Sequence, residues 1–254
     1  RIVEATADLV EREKSLLYQA QNLEQLNEAL QVLNERKNEI IGIAAHDLRN
    51  PLSGILLATE ILQDPDEAHD PEGVQQLATK IHRAGLNMME LLQRLLDGNA
   101  IDLGNVKPEN RPFDLAEIAR EVQENNRQRA AGKQQVIKLQ LQAEAISAYA
   151  DPRYVRDVLE NLVSNALKFS PPGGFIRLVV GQEPAAAWVE VQDDGPGLTQ
   201  ADQSQLFQRY TRLSARPTGG EPSVGLGLSI VKGYVEAMSG SIRVASEPGQ
   251  GATF

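Results

Sequence analysis

The 254-residue sequence contains no cysteine, which excludes disulfides and thiolate chemistry and fits a reducing compartment. No stretch approaches the roughly 18 to 20 apolar residues that span a bilayer as a helix, and no signal peptide opens the chain. A cytoplasmic portion of a protein is the expectation. Basic residues are in the minority: 25 Lys plus Arg face 35 Asp plus Glu, a formal charge of −10. That balance repels phosphate backbones, so nucleic acid is not expected as a partner. Internal repeats and low-complexity tracts are also missing. Because the sequence starts at Arg1 without Met and stops at Phe254 in mid-pattern, an upstream sensory portion is expected beyond it, and any membrane anchor would lie there.

What is present begins with a leucine stripe. Leu9, Leu16, Leu23 and Leu30 recur every seven residues, with Leu26, Leu33 and Ile40 three residues out of step. This is the a/d pattern of a parallel coiled coil, interrupted at Arg12 and Gln19. The helical pattern runs from Ile2 to about Gln63. The acidic segment from Asp64 to Gly73, with two prolines and a glycine, predicts a turn. A second helix follows to about Ile101, its apolar face formed by Leu77, Ile81, Met88, Leu92 and Leu95. Two copies of such a hairpin make a four-helix bundle.

Prolines, a glycine and mixed polar residues from Asp102 to Pro112 mark a domain boundary, after which helix and strand patterns mix. Helices are predicted near Asp114 to Ala131, from Pro152 to Phe169, and from Gly225 to Met238. Strands are predicted near Val136 to Leu141, Ile176 to Val180, Ala187 to Gln192 and Ser241 to Ala245, with another starting at Gly251. The fold class is therefore multidomain: a helical hairpin forming a dimeric four-helix bundle with an N-terminal coiled coil, then an α+β layer of helices on a sheet. The division is 1–38, coiled-coil helix; 39–104, bundle; and 113–254, the α+β domain.

The polar string HDLRNPL, His46 to Leu52, breaks the apolar pattern of the first helix. A helical histidine alone is usually a solvated surface residue, and Pro51 alone a tolerated kink. The neighbours change this. An imidazole attacks phosphorus only when unprotonated, and an adjacent carboxylate, here Asp47, can orient the ring and stabilise the cation that forms. Asn50, one turn on, can position water or a phosphoryl oxygen. His69 and His82 lack such neighbours and read as surface residues.

Further along, Asn161, Asn165 and Lys168 in ENLVSNALKFS can share one helix face. Amide oxygens can complete a Mg²⁺ shell shared with phosphate and water, and an ammonium can bind phosphate as a point charge. DDGPG, Asp193 to Gly197, follows the strand WVEVQ. Its first carboxylate can accept from an exocyclic amine, although a tight Asp-Gly turn is the plainer reading. LFQRYTRL brings Arg209, Tyr210 and Arg212, and SVGLGLSIVKG opens a helix whose free N–H groups suit phosphate.

The stretch IIGIAAHDLRNPLSGI resembles the phospho-accepting box of sensor histidine kinases. The four later pieces, in order, resemble the N, G1, F and G2 boxes of the same family's ATP-binding domain, whose Bergerat fold is shared with gyrase. The resemblance covers nearly the whole chain. It implies that His46 is the phosphosite and Asp47 its base, and that Asp47 with Asn50 supports regulator dephosphorylation. It further implies ATP and Mg²⁺ as ligands, with Asn165 the main metal ligand and Asn161 assisting. Lys168 would contact phosphate, Phe169 would lie near the base and Asp193 would read adenine. Gly195 and Gly197 would shape the pocket, Arg212 would approach the terminal phosphate, and Gly225, Leu226 and Gly227 would form a lid hinge. The implied partners are a second copy of the chain and a response-regulator receiver domain. Two features depart from relatives: Ser223 replaces the first glycine of the last box, and Asn161 stands where hydrolysing relatives carry a water-activating Glu. Two other readings account for part of the sequence, an ATP-binding scaffold without transfer and a structural coiled-coil dimeriser.

Overall fold

The protein is described by a computed structural model covering residues 2–63, 70–102, 105–208, 211, 213–219 and 225–254. Within the first helix, side chains are described from Tyr18 onward except at 29, 33, 36, 37, 39–41, 43 and 44; those at 90 and 102 are likewise outside the description. The side chains of the stripe positions Leu9, Leu16, Leu33 and Ile40 therefore lie outside the description, as do most of the turn after Gln63, Arg209, Tyr210, Arg212 and Ser223. The chain divides into two compact units, residues 1–49 and 50–254.

Helix α1 runs from Ile2 to Gln63 and carries Pro51 internally. It is rich in Leu, Ala, Glu and Gln, the residues that lose least on entering a helix. In the first unit, Leu23, Leu26 and Leu30 of the stripe are all exposed, at 66%, 57% and 55%. Helix α2, Pro71–Asp102, starts on an acidic cap. Asp70 accepts from the N–H groups of Glu72 and Gly73, both at 3.1 Å, and Pro71 occupies the first helical position. Of the hairpin's described apolar side chains in the second unit, Ala58 and Leu91 are buried, whereas Leu52, Leu56, Leu57, Leu86, Met89, Leu92 and Leu96 are exposed.

The α+β layer closes its own core. Strand β1, Arg111–Asp114, pairs antiparallel with β3, Ser147–Ala150. The main sheet runs in the order β2, β4, β5, β7, β6. It is built from β2 (Val136–Leu141), β4 (Phe175–Glu183), β5 (Ala186–Asp193), β6 (Ala245–Ser246) and β7 (Ala252–Thr253). β2 and β4 are parallel, and the other pairs are antiparallel. Alternation along β4 turns Ile176, Leu178 and Val180 inward, each fully buried. The helices α3 (Leu115–Ala131), α4 (Pro152–Phe169) and α6 (Gly227–Ala237) bury Val122, Val163, Leu167, Ile230 and Val231 in the same layer. α5 is a single short turn, Gln200–Gln205.

Two carboxylates, the half-buried Asp114 and the buried Asp151, fix helix entries. Asp114 accepts from Ala116 N and Ile146 N, both at 2.9 Å, joining the start of α3 to the chain before β3. Asp151 caps α4 through Arg153 N at 3.0 Å and also accepts Glu109 N at 2.9 Å, tying down the segment that leads out of α2. The Arg153 guanidinium beside it, together with these N–H donors, holds the Asp151 carboxyl down at about 2 against the opposing effect of burial. Within the second unit α2 also rests on α6. Ile101 fills the space that a side chain on Gly233 would occupy, and the buried Tyr234 stacks its ring on Tyr154 at 4.4 Å.

The predicted strand at Ser241 to Ala245 is not formed as such. The ladder there is only Ala245–Ser246, because its partner strand supplies only Ala252 and Thr253. The elements β1, β3 and α5 carry no sequence expectation, being too short for a period to register.

Candidate active site

Several separated pieces of chain meet at one place in the α+β layer. α4 presents Asn161 and Asn165, both half-buried, four residues apart on one face. The Asn161 amide N–H donates to Asp157 O at 2.8 Å, which leaves its oxygen for other partners. Gly227, the first residue of α6, is so close that a Cβ there would lie 3.2 Å from Asn161 Oδ1 and 3.7 Å from Asn165 Nδ2. The glycine-rich entry to α6 and the amide face of α4 thus form one cradle. Leu226 is buried beneath it at 1% exposure, and Gly225 takes a positive φ of 74°.

Asp193 ends β5 and is 8% exposed. Its Oδ1 accepts from Gly195 N at 2.8 Å and Ala252 N at 3.3 Å, which fixes the carboxyl plane and leaves Oδ2 for a further donor. Burial pushes this carboxyl upward, and the two N–H donors partly offset that. A Cβ on Gly195 would stand 2.6 Å from Asp193 Oδ1 and 3.4 Å from Phe169 O, so only glycine lets the turn fold over the carboxylate. At Gly197 and Gly251, with φ of 69° and 76°, a side chain would strike the Glu247 and Asp193 carbonyls. Lys168, in the last turn of α4, is 7% exposed.

His46 and Asp47 lie in the first unit. His46 Nδ1 and Asp47 Oδ1 are 2.9 Å apart, with the imidazole 62% exposed and the carboxylate 7%. An imidazole whose Nδ1–H is donated to a carboxylate keeps the lone pair on Nε2. Asn50, in the second unit, is exposed on α1.

A further cluster around Asp202 carries no sequence expectation. Asp202 is buried and accepts from Thr199 N and Oγ1 at 3.2 and 2.6 Å, and from Ser214 N and Oγ at 3.0 and 2.6 Å. The Ser214 hydroxyl, and then that of Thr199, hold this carboxyl far below the usual carboxylate range. Thr199 and Asp202, three apart, form a reciprocal capping box at α5, a spacing that was legible. The link to Ser214 was not, since nothing local announces it.

Known proteins share both regions. Residues 36–104 match the His Kinase A (phospho-acceptor) domain, and residues 150–254 match the histidine kinase-, DNA gyrase B- and HSP90-like ATPase family. A phospho-acceptor hairpin followed by an ATPase layer defines a class, and the chain belongs to it: the sensor histidine kinases. It is 32% identical over 244 residues to the circadian input-output histidine kinase CikA of Synechococcus elongatus, covering 95% of this chain and 32% of that protein. The chain thus spans about a third of that relative's length. Full-length ShkA in complex with AMPPNP superposes with a TM-score of 0.62 at 25% identity, over 85% of this chain and 44% of that one. Histidine kinase ThkA, solved with the response regulator TrrA, has the same fold, with a TM-score of 0.60 at 23% identity over 90% of this chain and 62% of ThkA. Among the described residues no helix is long and apolar enough to cross a membrane.

Proposed function

We propose that this chain is the catalytic portion of a dimeric kinase that moves the γ-phosphoryl group of ATP to His46 and then to an aspartate of a response-regulator receiver domain. The observation that carries the reading is the convergence of Asn161, Asn165 and Gly227 on one side, and of Asp193, Gly195 and Phe169 on the other. One side suits phosphate and the other a flat, amine-bearing base. On this reading the working division is residues 1–38, a signalling helix; 39–104, dimerisation and phosphotransfer; and 113–254, nucleotide binding.

Asp193 receives the exocyclic amine of adenine on its outward oxygen. Gly195 and Gly197 let the base lie flat against the backbone, with Phe169 beside it. Asn165, assisted by Asn161, fits a hard cation through amide oxygen, the donor type that Mg²⁺ accepts alongside phosphate and water. Bound there, Mg²⁺ supplies charge neutralisation for the phosphates. Lys168 and Arg212 complement the remaining phosphate charge, and the N–H groups at Gly225, Leu226 and Gly227 line the phosphate side. His46 Nε2 attacks the γ-phosphorus in line. An N–P bond forms as the bond to the β,γ-bridging oxygen breaks, and ADP leaves with that electron pair. Asp47 keeps the Nδ1 proton and stabilises the imidazolium that results. Asp47 with Asn50 gives the chain the polar pair for regulator dephosphorylation.

Dimerisation explains the exposed apolar row of the hairpin, which a second copy would cover. Near the turn, Ile61, Leu62, Val74 and Leu77 line an open groove of about 350 Å³ that the same partner would help to fill.

Incubation with γ-labelled ATP and Mg²⁺ tests the proposal. The label is expected to be acid-labile, base-stable and absent from His46→Gln. Label that survives in that variant, or bound ATP without any label, would overturn it.

A further inference from the structure

The last turn of α4 ends in carbonyls that no longer find helical partners. Three side chains from elsewhere cover them. Gln135 Nε2 donates within 3.2 Å of Leu167 O and 2.8 Å of Ser170 O, and Lys133 Nζ donates to Leu167 O at 3.1 Å. The third comes from the loop beyond α5. Thr218 N donates to Lys168 O at 2.9 Å, and its hydroxyl shares one proton between Lys168 O at 3.0 Å and Ser170 O at 2.9 Å. That hydroxyl in turn accepts from Lys133 Nζ at 3.1 Å, a bond between residues 85 apart in sequence.

Lys133 is a sensible choice for this place. Its positive charge sits at the negative end of the α4 dipole, and an ammonium can serve a carbonyl and a hydroxyl at once. Thr218 is chosen for geometry, since a hydroxyl can accept from the ammonium while donating onward.

The position of this knot matters more than its strength. α4 carries Asn161 and Asn165, and the loop holding Thr218 re-enters the site at Gly225 to Gly227, against those amides. We propose that Thr218 and Lys133 are positioning residues of the nucleotide site, fastening the loop that leads into the phosphate-side glycines to the end of the helix that carries the metal-side amides. The clamp rests on the nucleotide-site reading and deepens it. By holding Thr218 in register with α4 before nucleotide arrives, it lowers the ordering cost of binding. It touches no reacting atom, so its loss shows in ATP affinity and leaves the transfer step alone.

The test is calorimetric titration of Mg-ATP into wild-type protein, Thr218→Val, Thr218→Ser and Lys133→Met, with labelling rates measured against ATP concentration. Thr218→Val keeps the shape and removes the hydroxyl. It is expected to weaken binding and raise KM about five- to tenfold, the loss typical of one shared hydrogen bond, with the saturated rate unchanged. Thr218→Ser restores wild-type affinity, and Lys133→Met combined with Thr218→Val weakens binding no more than the larger single change. Unchanged affinity in Thr218→Val with normal wild-type binding overturns the clamp alone, as does a serine variant as weak as valine, or a fall confined to the saturated rate. No ATP binding by the wild type overturns the nucleotide-site reading and the clamp together.

Discussion

The helical hairpin and the α+β layer use apolar residues in opposite ways. In the layer most are hidden: Ile176, Leu178, Val180, Val163 and Val122 have essentially no exposure, and Val136, Tyr149 and Phe175 are exposed. Along the hairpin, Leu52, Leu56, Leu57, Leu86, Met89, Leu92 and Leu96 are exposed, Ile61, Leu77, Ile81 and Leu95 are half-buried, and Leu91 and Ala58 are buried. The layer is a finished core, while the hairpin carries a face that wants a partner. Chemistry divides along the same line. The layer gathers rigid, glycine-shaped backbone around Asp193, and α1 offers an exposed imidazole held by one carboxylate. On the proposed function, nucleotide binding calls for a preformed cleft, whereas a phosphoryl acceptor that serves two partners in turn calls for access.

The sharpest way to break this contrast is to cut into each face. Leu178→Ala should cost the layer about 2 to 5 kcal/mol in urea unfolding, because a fully buried leucine leaves a cavity. Leu92→Ala, 47% exposed, should change layer stability by less than about 0.5 kcal/mol while weakening self-association in sedimentation runs. Equal effects would erase the distinction.

A smaller effect, on the order of 1 to 3 kcal/mol, is expected at Asp151, whose loss leaves Glu109 N and Arg153 without their acceptor. This contribution depends on pH. Because the folded carboxyl titrates at about 2, below its ordinary value, its stabilisation is complete above about pH 4 and fades as pH falls toward 2. Thermal melts of Asp151→Asn should therefore lose part of the wild type's acid sensitivity between those limits. An unchanged slope would remove Asp151 from the account.

The smallest change belongs on the layer's surface. Lys232 and Glu236 pair at 3.7 Å one turn apart on α6, with both side chains largely solvated. Lys232→Ala should shift the melting temperature barely, reflecting a few tenths of a kcal/mol. A large shift would mean that α6 depends on its surface more than on buried Ile230 and Val231.

What could be read in the sequence follows the same divide. Long periodic elements were legible: α1 and α4 begin and end at the expected residues, because sixty-odd or eighteen helical residues carry many turns of pattern. β2 was legible through its branched and apolar alternation. β1, β3 and α5 were not, since four to six residues give no period and their existence depends on distant partners such as Ala148 for Phe113. At the site, Asn161, Asn165, Asp193 and the glycines stood out by residue type and spacing. Thr218, Lys133 and Ser214 did not, because each acts through a bond to a residue far along the chain. Such bonds become visible only once the layer is folded.

On the proposed function the layer holds ATP and α1 supplies only the acceptor. Calorimetric titration of Mg-ATP into wild-type protein, His46→Gln and Asp193→Asn tests it most directly. His46→Gln is expected to bind as tightly as wild type, while Asp193→Asn is expected to lose at least about tenfold in affinity, as removing a buried charged acceptor does. Weakened binding in His46→Gln, or undiminished binding in Asp193→Asn, would contradict it.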